Sequence, residues 1–130
     1  MIDLTSRVAL VTGSSSGIGA AIAGSFAGRG AGVVVNSVSS VAEGQALAAT
    51  LPGATYVQAD VADPEQAKHL VDETIEQHGR LDIVVNNAGT TTVIPHHDLD
   101  AATTEIWEHI LAVNVLGTWN VIQAHPAALV

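Results

Sequence analysis

Apolar and polar positions divide the chain into short apolar runs and longer segments of helical period. Val8-Ala9-Leu10-Val11 and Gly32-Val33-Val34-Val35-Asn36 are continuous runs without alternation, the pattern of parallel strands covered on both faces. Thr55 to Ala59 predicts a third strand and Leu81 to Val85 a fourth. Helical patterns separate them. The first covers about residues 17–29, with Ile18, Ala21, Ile22 and Phe26 on one face and Gly30 as its end. Gly24 and Gly28 each cost that helix about 1 kcal/mol relative to Ala, so it depends on packing against a sheet. Ser40-Val41-Ala42-Glu43 reads as a capping box for a second helix that stops before Pro52-Gly53. A third runs from an Asp63 N-cap and Pro64 to about His78 and ends at Gly79, with Ala67, Leu70, Val71 and Ile75 as one stripe. Asp100 is expected to cap a last long helix reaching Ile122. Alternating strands and helices give right-handed βαβ units. The expected fold is therefore α/β, a doubly wound parallel sheet of strand order 3-2-1-4 that binds ligands at the carboxyl ends of its strands. No linker, repeat or low-complexity stretch divides the chain, which reads as one domain over residues 1–130.

Composition narrows the partners. Thirteen acidic residues against four basic ones give a formal charge of −9, which repels nucleic-acid backbones and anionic lipid alike. The absence of cysteine removes disulfides and thiolate chemistry. The start, Met1-Ile2-Asp3-Leu4, has no basic region before an apolar stretch, and no apolar run reaches membrane-spanning length. A cytoplasmic protein without nucleic-acid or membrane partners is expected. His96-His97-Asp98 has metal-ligand residue types, but adjacent histidines on a polar loop project apart and no metal is expected. Trp107 and Trp119 read as packing or interface residues.

The chemistry-bearing stretch is the turn Thr12-Gly13-Ser14-Ser15-Ser16-Gly17-Ile18-Gly19, between the first strand and the first helix. Amides at a helix start have no intrahelical partners and carry the positive end of the dipole, so they attract a phosphate or pyrophosphate. The glycines serve a tight turn, a close approach of the pyrophosphate and close helix–strand packing; Gly19→Val is expected to put a side chain where the pyrophosphate sits. A triphosphate-binding loop would need Lys and then Ser or Thr after the last glycine, where Ala20-Ala21 stands.

Spaced Gly-x-x-x-Gly-x-Gly, the turn resembles that of the short-chain dehydrogenase/reductase family, and Asn86-Asn87-Ala88-Gly89 at the end of the fourth strand resembles its second signature. The resemblance implies a Rossmann-type fold, here ending after the fourth strand and its following helix, as the N-terminal half of a longer domain. Asp60-Val61, at the end of the third strand, matches the adenine-binding position, although Asp60 can equally cap its loop. Ala88 and Gly89 leave room beside the adenosine ribose while the Asn86 and Asn87 amides tie strand ends together. Asn114 is a polar residue in an apolar helix and needs partners; the resemblance places it at a helix distortion, holding a water on the proton-relay path, with a structural Asn as the alternative. At the end of the second strand stand Asn36-Ser37 rather than the carboxylate that would repel a 2′-phosphate, so NADP(H) is favoured over NAD(H), with NAD as the other possible cofactor.

The family also needs a Ser and a Tyr-x-x-x-Lys pair. The one tyrosine is Tyr56 and the one lysine Lys68, both elsewhere in the fold. The chain is therefore expected to hold a dinucleotide without turning it over, whether as half of an oxidoreductase acting on a carbonyl or alcohol or as an inert binding module. Its bare fourth strand and apolar last helix further imply a homo-oligomer.

Overall fold

Four parallel strands, β1 (Val8–Val11), β2 (Gly32–Ser37), β3 (Thr55–Gln58) and β4 (Ile83–Val85), lie in the expected order β3-β2-β1-β4. The structure is a computed structural model that describes residues 2–125; Met1 and residues 126–130 of the expected 1–130 domain lie outside the described residues. Val11 pairs with Val35 on one side and Val85 on the other, so β1 and β4 end at one level while β2 runs on to Ser37. Alternation across β1 and β2 splits the core in two. Val11, Val33 and Val35 pack with Ala23, Ala27 and Ala48 of α1 (Gly17–Ala27) and α2 (Val41–Thr50). Leu10 and Val34 pack on the other face, with Leu70 and Val71 of α3 (Pro64–His78) and Val121 of α5 (Gly117–Ala124).

Several details depart from the sequence reading. The α1 face that meets the sheet is Gly19, Ala23 and Ala27, while Ile18 is 76% exposed and Ala21 points outward. Small side chains let the helix lie close to the strands, which outweighs burying the larger Ile18. The capping box before α2 does not form, because Ser40 is the N-cap but makes no side-chain cap bond. In α3 the expected Asp63 cap is present, accepting from the Glu65 amide at 2.9 Å, and Gly79 closes the helix. Its inner stripe contains Thr74 in place of the exposed Ile75, the Thr74 hydroxyl being satisfied by the Leu70 carbonyl at 2.8 Å. The last helix is not one helix capped by Asp100. Asp98 caps a 3₁₀ turn over Leu99–Ala101, Thr103 caps α4 (Thr104–Leu111), and a π-helical turn over Ala112–Leu116 leads into α5.

At the amino ends of the strands, Asp82 joins β4 to β1. It accepts from the Val8 amide at 2.8 Å and is chelated by Arg80 at 2.7 and 2.8 Å. The Arg80 guanidinium foremost, and then the Val8 amide, hold its carboxyl below the usual range.

Candidate functional site at the carboxyl ends of the strands

The glycine turn is shaped by three different demands. Gly13 has φ +59°, and a Cβ there would lie 2.8 Å from the Ala88 Cα, so the turn presses directly on the chain leaving β4. Gly19 cannot accept a Cβ because it would stand 2.5 Å from Asn87 Nδ2 and 2.7 Å from the Gly13 carbonyl. Its role is close packing, which corrects the expectation that a side chain at Gly19 would occupy the pyrophosphate position. Gly17, at φ +59°, has nothing within 4 Å of its Cβ position, so that the open approach to the helix start lies there. Ser16 makes no side-chain cap bond, and among the described residues the Gly17 and Ile18 amides have no acceptor. Ser15 is partly exposed beside them. These are free donors at the positive end of α1.

Side chains behind the turn fix its position. Thr12 Oγ1 accepts the Asn87 and Ala88 amides, both at 3.0 Å, and Asn87 Nδ2 donates to the Thr12 and Gly13 carbonyls at 3.1 and 3.0 Å. Thr12 was read from sequence only as the head of the turn; a hydroxyl ending an apolar strand was the available signal for its bonding role. Ser14 is fully buried, its hydroxyl donating to the Val11 carbonyl at 2.6 Å and accepting the Asn36 amide at 3.0 Å. The Asn36 side chain accepts from the Gly13 amide at 3.1 Å and donates to the Val57 and Ala59 carbonyls at 3.1 and 3.2 Å. Ser37 shares a 2.6 Å hydrogen bond with the Tyr56 hydroxyl. The side chains of Ser14, Asn36 and Ser37 are thus engaged within the protein and hold the walls.

Those walls enclose a crevice of about 320 Å³. Gly13, Ala88 and Gly89 line it with Asp60 and Val61, and α4 and its π turn contribute His109 and Val113. Asp60 caps its loop, since Oδ1 accepts the Ala62 amide at 2.9 Å, while Oδ2 has no partner among the described residues. Asn86 behaves differently from Asn87, with its Oδ1 buried and unpartnered. Asn114 lies in the π turn, as the resemblance implied, and clasps Thr90 by two bonds: Oδ1 accepts the Thr90 amide at 2.7 Å and Nδ2 donates to its carbonyl at 2.9 Å. That side chain holds the loop after β4 against the helix.

Tyr56 and Lys68 do not line the crevice; Lys68 pairs with Asp72 on α3 at 2.6 Å. Arg7 and Arg80 are at Asp82, and Arg29 donates to Ser25. Among the described residues no group of three or more His, Cys, Asp or Glu is placed to hold a metal, and no helix is long and apolar enough to cross a membrane. His109 was absent from the sequence reading, because an exposed histidine on an amphipathic helix carries no signal of its own.

Comparison with known proteins agrees with this geometry. The family described as short chain dehydrogenase matches residues 7–130. A Streptomyces violaceoruber protein bearing the name of ketoacyl reductase 2 of the granaticin polyketide synthase is 58% identical over 113 residues, 87% of this chain and 45% of its own length. The D-threitol dehydrogenase of Mycolicibacterium smegmatis is 40% identical over 126 residues, 93% of this chain and 46% of its own length. A short chain dehydrogenase from Burkholderia cenocepacia, solved in complex with NADP, is similar at a TM-score of 0.86 and 39% identity, over 95% of this chain and 51% of that one. The chain thus spans about half the length of the relatives it matches. Because the family match takes in the glycine turn, the crevice and the helix beyond them rather than one motif, the chain belongs to the short chain dehydrogenase family.

Proposed function

We propose that the chain is the nucleotide-binding half of an oxidoreductase whose complete form moves a hydride between NADP(H) or NAD(H) and a carbonyl or alcohol. The observation that carries this reading is the open position at Gly17 beside unpartnered α1 amides, in the same turn as the crevice-lining Gly13. The residues present fit a dinucleotide. The Gly17 and Ile18 amides would take the pyrophosphate, Ala88 and Gly89 leave room for a ribose, and the free Asp60 oxygen would accept from the adenine amine. The residues after Asn36 are Ser37, Val38 and Ser39, with no carboxylate to repel a 2′-phosphate, which favours NADP(H). When bound, the cofactor supplies the hydride chemistry. Asn114 acts as a positioning residue, keeping Thr90 against the π turn at the crevice wall.

Titration with NADPH and NADH, followed by fluorescence, tests the reading. Saturable binding is expected, with Gly17→Val losing at least about tenfold in affinity because its side chain would project into the pyrophosphate approach. Circular dichroism checks that the variant is folded, and equal binding by both proteins would overturn the assignment. The absence of Tyr-x-x-x-Lys favours a second reading for the chain by itself, an inert dinucleotide-binding module. Turnover of any carbonyl or alcohol by these 130 residues would eliminate it.

A further inference from the structure

The α4 contribution to the crevice is not explained by holding the fold. His109 and Val113 are one helical turn apart, and both line the cavity shared with Asp60 and Val61. The His109 ring nitrogens have no hydrogen-bond partner among the described residues, in contrast to His78, which is bonded to Thr55, and His125, bonded to the Leu81 carbonyl. Its approach to the crevice is fixed from behind, because Asn114 locks the same helix to Thr90 by two hydrogen bonds. The lining residues otherwise offer aliphatic side chains, small residues and polar groups largely engaged in the walls, with Asp60 Oδ2, the Thr90 hydroxyl and Asn87 Oδ1 left without a partner among the described residues. Asp60 and His109 are the ionisable side chains of that lining, and no Lys or Arg is among it.

We infer that His109 is the aromatic cover of a purine ring held in this crevice. The inference rests on the dinucleotide reading given above and deepens it, since neither the glycine turn nor the signature after β4 specifies a residue on α4. A purine presents two flat apolar faces and an exocyclic amine at its edge. Asp60 Oδ2 suits the amine, Val113 suits a face, and the planar imidazole of His109 suits a face by stacking, a contact that needs no fixed hydrogen-bond geometry. The aromatic cover also requires no Lys or Arg, in keeping with a crevice that contains neither.

The test measures dissociation constants of wild type, His109→Ala and His109→Phe for NADPH and for adenosine 2′,5′-bisphosphate, which contains the adenine half alone. His109 is exposed and helical, so both substitutions leave the core intact. The Ala variant is expected to lose about five- to tenfold for both ligands, the size of one base–aromatic contact, and the Phe variant to stay near wild type. Loss confined to NADPH would place His109 away from the adenine half and overturn the inference. An Ala variant that binds like wild type would do the same, as would a Phe variant that loses as much as Ala. In each of those outcomes wild type still binds and the dinucleotide reading stands; if wild type binds neither ligand, both fall.

Discussion

The two sides of β1 differ sharply in how completely they are built. On one side, β1 is buried along its length and Val33 to Ser37 of β2 are buried beside it, enclosed by helices on both faces. On the other, all three residues of β4 are only half-buried, and α4 has no buried residue. Trp107, Leu111, Leu116 and Trp119 stand exposed along the helical segments that follow β4, and the buried side-chain Oδ1 of Asn86 lacks a donor. A strand with neighbours on both edges satisfies its own polar groups and shields its side chains. The outer edge of β4 leaves apolar surface uncovered, as an interface would before its partner arrives.

Substitutions should break this contrast unequally. Leu10→Ala, in the fully enclosed strand, is expected to cost about 3 kcal/mol, whereas Leu111→Ala on α4 should stay within about 0.5 kcal/mol. Urea unfolding of the two variants decides it, and equal costs would show that both regions are packed alike. Association is the next largest effect. Sedimentation velocity should show concentration-dependent self-association of the protein, and Leu111→Lys with Trp119→Lys should weaken it by at least about tenfold without lowering the urea midpoint. Association that survives the double substitution would place the contact elsewhere.

The smallest effects concern pH and separate the two sides by range. Burial holds the His78 imidazole below its ordinary value of 6.5, so the unfolded chain takes up that proton first. Stability on the β3–α3 side is then complete above pH 6.5 and falls as pH drops below it, a slope that His78→Gln should remove. Asp82 titrates below its ordinary 3.8 in the folded protein, so the tie between β4 and β1 persists through that range. Its contribution is lost only in stronger acid, as pH falls through the folded value, and Asp82→Asn should flatten that limb. Unfolding curves at stepped pH would read both, and a single transition unaffected by either variant would contradict the assignment.

Strand order and the glycine turn were legible in sequence because they follow from uninterrupted apolar runs and from residues adjacent in the chain. Failures came where partners are distant. The bonds of Asn36 were not legible because its partners lie more than twenty residues away, the Val57 carbonyl on β3 and the Ser14 hydroxyl in the turn. The buried face of α1 was legible only in part, since Ile22 and Phe26 pack against the core but Gly19, Ala23 and Ala27 make the nearer approach. The π turn left no mark except Asn114, whose demand for partners was legible although Thr90, its partner, was not.

The Asn36 side chain has a consequence for dynamics. It is one amide group that touches the glycine turn through the Gly13 amide and the outer strand through the Val57 and Ala59 carbonyls. An opening that lifts the end of β3 away frees the Nδ2 end of the group whose Oδ1 end steadies the turn, so local unfolding at that sheet edge loosens an anchor of the glycine turn. A ligand that selects the closed turn then slows amide hydrogen exchange in β3, a strand it need not touch, by mass action on that opening.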